Sequence, residues 1–459
     1  MSYLARAKQH SSSRVVNMFV QKVFPDEELV LYSTPGLKLE VTNTQAKARG
    51  IHTKYEYLYV VLDSGFYKVD VNGTKTLLGT LNTSVGRVNI VSTNYQIVMN
   101  DLAYGYYYNI PTATFSTITD ADFPATSATL VAFKERIYAH NNNTFLYSAL
   151  SNASSWSAAS VYTAETIQQD ITALYSFDEK MYVFGSTQTE IWQPNDNTDD
   201  PLSSITSLNI RYGTESPYSI ADTQDGLLFL GRGKRGKHAV IKINENFQTE
   251  AVGDKGFTSI LSGYTSSEDA TAYTLQYDNK EFYTINWTAA NHTWHFDTEL
   301  GIWTELEYNN KDRHPADQHV YFDGKNIVIS YLDSNIYSLD NETYTDNSVT
   351  IVRKLISPVL QKDYLQVFLS QLIVKFEPTT TLHTGTGSEP SVNLSFSKDG
   401  GYSWSATRYK RIGKVGEYRY KTRFTNVAAG DDLVTNLQFH DPIGWALLGC
   451  YVNLEYGEA

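Results

Sequence analysis

A short β-hairpin pattern recurs along most of this chain and limits the folds that the chain can form. The copy at residues 180–192 (KMYVFGSTQTEIW) begins with an apolar run at 181–184 that is rich in aromatic and β-branched side chains. Turn residues follow at 185–187, and a second strand-like run begins at 190. Two such runs joined by a few residues that include glycine predict a hairpin. One hairpin is only marginally stable in water, so the copies must pack against one another.

Seven imperfect copies follow one another at separations of 39 to 55 residues. A period of roughly 40–50 residues with several short strands per unit is typical of β-propeller blades. A large β-sandwich with irregularly spaced hairpins is the alternative, and near-regular spacing over seven units favours the propeller. The number of blades stays open between six and seven. The copies begin at Leu58, Ile97, Ile137, Met181, Leu227, Phe282 and Ile327.

The pattern divides the chain into three regions. Residues 1–50 show little alternation of apolar and polar side chains, and we predict an N-terminal arm or docking segment there. Residues 51–355 hold the repeated hairpins and are predicted to form the β-propeller. Strand-like runs at 372–376 and 392–396 then predict a C-terminal β-sandwich over residues 356–459. The predicted fold class is therefore all-β, with a propeller of six or seven blades and a C-terminal β-sandwich.

Composition agrees with a globular β protein. The 459 residues include 34 Tyr and 20 Phe, and aromatic enrichment favours strands. The one cysteine, Cys450, excludes an intramolecular disulfide framework. No signal peptide is recognisable and no run of 18 apolar residues could span a membrane, so we expect a protein that is made in the cytosol and has no membrane span.

The charge is unevenly distributed along the chain. The formal net charge is −13; residues 353–459 hold 12 Lys/Arg and 10 Asp/Glu, which leaves 25 and 40 for residues 1–352, a balance of −15. Such an acidic region argues against nucleic-acid binding by broad phosphate neutralisation. Basic side chains are instead concentrated in two short segments.

The first basic segment is residues 231–238, GRGKRGKH. Its letters match G-x-G-x-x-G, but a phosphate-binding loop of that kind requires a helix after it, and here a second strand-like run follows. We therefore predict an exposed blade tip that binds no nucleotide. Such a tip could contact a phosphate backbone or an acidic face of a neighbouring subunit. The candidate contact residues are Arg232, Lys234, Arg235 and Lys237.

The second basic segment, residues 408–423, has Glu417 as its one acidic residue and carries interleaved tyrosines. Basic and aromatic residues together can bind nucleic acid. In a strand, the same pattern also describes one solvated face over one buried face. Because the protein as a whole is acidic, docking on an acidic partner is an interpretation at least as strong as DNA contact. The candidate contact residues are Arg408, Lys410, Arg411, Lys414, Arg419, Lys421 and Arg423.

The remaining motifs predict structure and not catalysis. Residues 397–404 (SKDGGYSW) resemble the Asp-box of sialidase-type propellers, in which Asp399 would accept hydrogen bonds from turn amides and Trp404 would pack beneath the turn. His292 and His295 are three apart on a predicted strand, so they face opposite sides and cannot easily share a metal ion. We expect no catalytic residues, no metal site, no cofactor and no enzymatic activity.

A set of motifs follows a definite order and spacing along the chain, and the most specific of them is VFGSTQTEIW at residues 183–192. The other motifs are Pro35-Gly36, Arg49-Gly50, DFP at 122–124, FLYSAL at 145–150 with Trp156, TWHFD at 293–297 with Trp303, residues 397–404, and RIG at 411–413 with Gly416. In the order and spacing of these motifs, nearly the whole chain resembles the packaged-DNA stabilisation proteins of short-tailed phages (podoviruses), also described as tail hub or nozzle proteins.

The resemblance implies a structural protein of the phage tail, made in the host bacterial cytoplasm. It implies a ring of six copies that lies below the portal and its adaptor (head–tail connector) proteins, retains packaged DNA and anchors fibres, spikes or a needle. Double-stranded DNA would pass through the lumen during ejection without sequence recognition. The alternatives are a polysaccharide-binding receptor or glycosidase of the tail, and a cellular propeller scaffold.

Overall fold

The computed structural model describes the chain except for residues 1–12, 24–27, 168, 235, 237, 254, 265, 267, 311, 363–364, 379–384, 418 and 458–459. Four N-terminal strands come first, and each of β1, β3 and β4 pairs with a strand far along the chain. The four strands are β1 (Arg14–Val16), β2 (Met18–Val23), β3 (Glu28–Ser33) and β4 (Gly36–Val41).

Small antiparallel sheets follow and form a ring. In each sheet the first strand lies nearest the axis of the ring, and the last strand lies at its rim. Blade 1 comprises β5 (Ala48–Lys54), β6 (Tyr57–Leu62), β7 (Gly65–Val69) and β8 (Lys75–Thr80). Blade 2 comprises β9 (Asn89–Ser92), β10 (Gln96–Asn100), β11 (Gly105–Asn109) and β12 (Thr114–Thr117). Blade 3 comprises β13 (Leu130–Phe133), β14 (Arg136–Asn141), β15 (Thr144–Tyr147) and β16 (Val161–Thr163).

The second half of the ring is built in the same way. Blade 4 comprises β17 (Ile171–Phe177), β18 (Lys180–Gly185), β19 (Thr189–Pro194) and β20 (Leu202–Ile210). In blade 5, β21 (Tyr212–Gly213) and β22 (Ala221–Thr223) both pair with β23 (Gly226–Gly233), which is followed by β24 (His238–Asn244) and β25 (Thr249–Ala251). Helix α1 (Lys255–Leu261) leads to blade 6, β26 (Ala270–Tyr277), β27 (Lys280–Trp287), β28 (His292–Asp297) and β29 (Ile302–Tyr308), with β30 (Asp312–Arg313) paired to β29. Blade 7 comprises β31 (Ala316–Phe322), β32 (Lys325–Ser330) and β33 (Ile336–Asp340), with β4 as its outer strand.

The propeller prediction is confirmed, and the described residues form seven blades. Each hairpin recognised in the sequence supplies the second and third strands of one blade. In the copy at 180–192, β18 pairs with β19, and Met181 lies opposite Trp192. Glu190 of this hairpin is buried; it accepts hydrogen bonds from Thr166 N (2.5 Å) and Trp192 Nε1 (3.1 Å). It therefore braces the blade.

The turns between the first and second strands of several blades are tight. Two-residue turns with positive φ at both positions lie at 134–135, 178–179, 278–279 and 323–324. This is the type I′ geometry, whose twist matches that of the flanking strands. Asp323-Gly324 is a strong sequence signal for such a turn, whereas Lys134-Glu135 is not.

The blades pack face to face through seven hydrophobic clusters in the described structure, one between each neighbouring pair. Side chains alternate between the two faces of a strand, so each central strand contributes to two clusters. In β18, Met181 and Val183 pack towards blade 3, whereas Tyr182 and Phe184 pack towards blade 5. Burial on both faces explains why this strand is a continuous apolar run and does not alternate.

Blade 7 is closed by a strand from the N-terminal side of the propeller. β4 pairs antiparallel with β33, and Gly36 lies opposite Asp340. Gly36 must be glycine, because a Cβ atom there would lie 2.3 Å from Thr343 O. The last blade is thus completed only when the two ends of the propeller meet.

The remaining strands form two sheets around one hydrophobic core, here named the two-sheet unit. The first sheet continues from β29 of blade 6 in the order β29-β1-β36-β41-β38-β39, and the second has the order β2-β3-β42-β37-β40. Leu394 and Leu437 from the first sheet meet Leu372 and Trp445 from the second in the core. The strands after blade 7 are β34 (Thr345–Asp346), β35 (Val349–Thr350), β36 (Arg353–Ile356), β37 (Gln366–Pro378), β38 (Ser391–Ser397), β39 (Arg408–Arg411), β40 (Thr422–Gly430), β41 (Val434–Phe439) and β42 (Trp445–Gly457).

The segment predicted as an N-terminal arm, residues 1–50, has its described strands within these sheets. β1 to β3 belong to the two-sheet unit, β4 belongs to blade 7, and β5 begins blade 1 at Ala48. The two-sheet unit is thus assembled from residues of the predicted arm and of the predicted C-terminal sandwich, 356–459. The predicted boundary between 355 and 356 lies within β36.

A buried ion cluster joins the propeller to the two-sheet unit where β1 pairs in parallel with β29. Arg14 donates hydrogen bonds to Glu305, whose side chain is fully buried, and to Glu307 (2.9 Å). Lys354 of β36 lies 2.5 Å from Glu307. Burial by itself would raise the pKa of Glu305, but His292 and Arg14 lower it to about 2. Glu305 is therefore ionised and holds the junction together.

Removal of the Glu305 charge should destabilise this junction. Glu305→Gln leaves the Arg14 guanidinium partly buried without its main counter-charge, and loss of one partner of a buried pair costs roughly 3–5 kcal/mol. We expect a clear fall in the urea midpoint at pH 7. Glu299→Gln is the matched control, because Glu299 is 70% exposed in its pair with Lys280 and its loss should cost under about 1 kcal/mol. Equal effects of the two variants would contradict the role of the cluster.

Candidate interaction surfaces and the axial cavity

The second basic segment lies along one open edge of the two-sheet unit, here named the basic edge (residues 408–423). In the described structure β39 pairs only with β38, and all four β39 side chains are exposed. The Thr422 hydroxyl at the start of β40 donates to Arg411 O (2.9 Å), so the two sheets approach each other here. The pattern of one solvated and one buried face therefore does not describe β39.

Arg408 has a structural role within this edge. Its guanidinium donates to the carbonyl oxygens of Asn426 (3.0 Å) and Val427 (3.3 Å) on the opposite sheet. It also lies over the ring of Phe396, 5.5 Å from the centroid. Arg408 thus bridges the two sheets and is less available to a partner than the sequence suggests.

The other cations of the basic edge fall into two groups. Arg411 lies 3.3 Å from Glu417, and Lys414 lies 3.0 Å from Glu389. The remaining four are exposed and form no ion pair with the described residues, so this edge carries uncompensated positive charge. These four are Lys410, Arg419, Lys421 and Arg423.

The first basic segment forms the predicted hairpin at a blade tip, because β23 is followed by β24 and not by a helix. Arg232 forms an ion pair with Glu215, which partly neutralises it. Lys234 lines a groove of about 940 Å³ between blades 4 and 5. Arg235 and Lys237 lie outside the described residues. A helix N-terminus that could hold a nucleotide phosphate does not follow this strand in the described structure.

The turn at 397–404 has the hydrogen bonds expected of an Asp-box. Asp399 accepts from the backbone amides of Tyr402 (3.0 Å) and Ser403 (2.9 Å). Hydrogen bonds from the Ser397 and Ser403 hydroxyls, together with these amides, lower the pKa of Asp399. Trp404, which was expected to pack beneath the turn, is instead 40% exposed.

His295 of blade 6 and His319 of blade 7 form hydrogen bonds within the propeller. His295 is buried between Tyr277, whose hydroxyl is 2.7 Å from Nε2, and Thr284, whose hydroxyl is 2.8 Å from Nδ1. His319 Nε2 lies 3.0 Å from Asn326 Oδ1. No cluster of three metal-ligating side chains occurs among the described residues.

The innermost strands of the blades surround an axial cavity of about 470 Å³. Its lining is largely polar and carries no Asp or Glu side chain among the described residues. The Arg87 guanidinium packs on the Tyr218 ring from the other side of the axis, 4.3 Å from the centroid. A cavity of this volume has the size of a small-molecule site.

Residues 4–344 match the family model described as bacteriophage P22 Gp10, beta-propeller (Phage_stabilise). The chain belongs to this family. The resemblance seen in the motifs is therefore confirmed, and the protein is a phage structural protein and a component of the virion.

Three solved structures are similar to this chain at low sequence identity and low TM-score. The computationally designed Ika8 protein is 11% identical, covers 72% of this chain and 100% of its own, and has a TM-score of 0.40. The N-terminal domain of Nup159 is 12% identical, with coverage of 72% and 99% and a TM-score of 0.40. YCF48 from Cyanidioschyzon merolae is 12% identical, with coverage of 67% and 99% and a TM-score of 0.43. No curated protein matches the chain.

Among the described residues of this family member, no helix has the length and apolar character needed to cross a lipid bilayer.

The buried histidines should make the protein acid-sensitive. Burial lowers the pKa of five of them, so the unfolded chain takes up their protons below pH 6.5 while the folded chain does not, and stability falls as pH drops from about 6.5 towards 4. Asp346, whose pKa burial raises to about 7, and Asp278, whose pKa burial also raises, act in the opposite direction but are fewer than the histidines. The five pKa values are about 4 for His52, His140, His314 and His319, and about 3 for His295.

We expect the urea midpoint to be lower at pH 5.0 than at pH 7.5. His319→Gln, which can still hydrogen-bond Asn326, should reduce that difference while remaining close to the unmodified protein at pH 7.5. A urea midpoint that does not change between the two pH values would contradict the prediction.

Proposed function

We propose that this family member is a ring-forming tail hub, or nozzle, of a short phage tail. Six copies would extend the channel of the portal and its adaptor proteins, retain the packaged DNA, and anchor fibres, spikes or a needle. The family match over residues 4–344 carries this proposal. We infer a purely structural role with no catalytic activity.

The stiffness of the molecule supports a role as an assembly part. Seven blades share continuous packing around the ring, and the first sheet of the two-sheet unit is hydrogen-bonded to blade 6 through β1 and β29. Loops at the two faces and rim of such a disc can contact several partners at once. A cyclic ring needs two different matching surfaces on each copy.

The size of the axial cavity supports a lumen formed between copies. A space of about 470 Å³ is of the size that holds a small ligand and is too small for duplex DNA to pass. If DNA passes through an assembly of this protein, the passage must therefore be enclosed by several copies. This requirement agrees with a ring and not with a single propeller threaded on DNA.

The charge distribution supports a ring in which the propeller faces the lumen and the basic edge contacts another protein. The −15 balance of residues 1–352 would repel DNA phosphates and let the genome slide if the propeller faces the lumen. The basic edge, with four uncompensated cations, would then dock on an acidic surface of the next copy or of an adaptor protein. A ring whose lumen is lined by residues 232–237 would contradict this arrangement.

The alternative of a glycosidase or polysaccharide receptor gains no support from the axial cavity. A glycosidase places two carboxylates roughly 5–10 Å apart at its site. The described lining of the cavity contains none.

Virions assembled without this protein test the proposed function. Because the ring would close the channel below the adaptor, particles that complete packaging in its absence should lose their DNA, as measured by nuclease sensitivity and by the density of filled heads. Addition of purified protein before release should restore retention, and electron microscopy should show a six-fold ring below the adaptor. Retention of DNA in particles that lack the protein would contradict the proposal.

Charge reversal at the basic edge tests its docking role. Lys421→Glu with Arg423→Glu should weaken assembly, because both side chains are exposed and uncompensated and like charges would then face the acidic partner. The measurement is the fraction of rings and of adaptor-bound protein by native mass spectrometry at several salt concentrations. The matched control is Lys54→Glu with Arg211→Glu, in blade 1 and between blades 4 and 5, because neither side chain forms an ion pair with a described residue. If the basic edge contacts DNA instead, the variant will assemble normally and lose DNA affinity.

A further inference from the structure

Arg87 is placed in the axial cavity without the hydrogen bonds that an arginine requires. Its side chain is 25% exposed, and it donates no hydrogen bond to a described residue. The carboxylate that approaches it is Asp317, with Oδ2 3.9 Å from Nη1, which is beyond hydrogen-bond distance. Asp317 Oδ1 accepts instead from the Thr271 hydroxyl (3.1 Å). The five N–H donors of a guanidinium are thus largely unused.

Tyr218 supports Arg87 at the same place. Its ring lies under the Arg87 guanidinium, 4.3 Å from the centroid, while its hydroxyl is buried beside Asn89 and does not face the cavity. The ring therefore fixes the position of the guanidinium in the cavity.

The cavity around these two groups suits a polar ligand of small size. Its volume of about 470 Å³ falls within the range of small-molecule sites. Hydroxyl and amide side chains from several blades line it, including Ser92, Thr129 and Gln318. Arg87 is the charged side chain of the described lining, and Asp317, with Oδ2 3.9 Å from Nη1, compensates it only in part.

We propose that the axial cavity binds a small solute with an oxyanion group, a carboxylate or a phosphate. The planar guanidinium of Arg87 would hold two oxygens of that group. Packing on the Tyr218 ring holds the guanidinium in place for this contact.

This site does not depend on the proposed tail function, and its test uses the purified full-length chain. Thermal unfolding and calorimetry would be measured with inorganic phosphate and, separately, with gluconate, each against sodium chloride at equal ionic strength. We expect one of the two to raise Tm in a saturable way, and the one that binds distinguishes phosphate from carboxylate recognition. Absence of a saturable effect with both solutes would overturn the proposal.

Variants locate the binding on the two residues. Arg87→Gln should lower affinity at least tenfold, and Arg87→Lys, which keeps the charge but not the fork, should lose less. Tyr218→Leu, which removes the ring under the guanidinium, should lower affinity two- to fivefold and tests the site even if Arg87 variants fold poorly. Arg211→Gln is the control, because Arg211 lines the rim groove and not the axis. Unchanged affinity in both Arg87→Gln and Tyr218→Leu would also overturn the proposal.

Discussion

The pairing of the N-terminal strands with the far end of the chain is the constraint on which the rest of the structure depends. Arg14 bonds Glu305, 291 residues away, and β4 completes blade 7 beside β33. The entropy cost of closing such loops grows only slowly with their length, but contacts so distant in sequence form late and slowly. The buried ion cluster and the two-sheet core supply the stabilisation that holds these ends together.

A propeller closed in this way is a ring of packed blades around a small axial cavity, and that geometry directs the functional interpretation. Partners must meet the faces, the rim or the two-sheet unit, since the axial cavity admits only small solutes. One continuous sheet extends from blade 6 to β39, so hydrogen bonds between strands connect the basic edge to the propeller. Under the proposed function, surfaces that other chains can contact would therefore carry the function, and the oxyanion site at the axis is a separate proposal.

The residues of the basic edge and of the axial cavity were only partly predictable from the sequence. The basic residues were recognisable by composition, yet the structure separates Arg408, which bridges two sheets, from Lys421 and Arg423, which face solvent. That difference depends on which strand lies opposite, and a local pattern does not contain it. Arg87 and Tyr218 gave no signal at all, because they are far apart in the sequence and meet only across the closed ring.

The sequence by itself determined the all-β class and the seven hairpins, because apolar runs and turn residues act over a few positions and recur at a regular interval. Only the tertiary structure decided that residues 14–41 belong to both the two-sheet unit and blade 7. It also decided which cations remain uncompensated. These features arise from pairings across hundreds of residues, and the free energy of such pairings depends on geometry that no short stretch of sequence encodes.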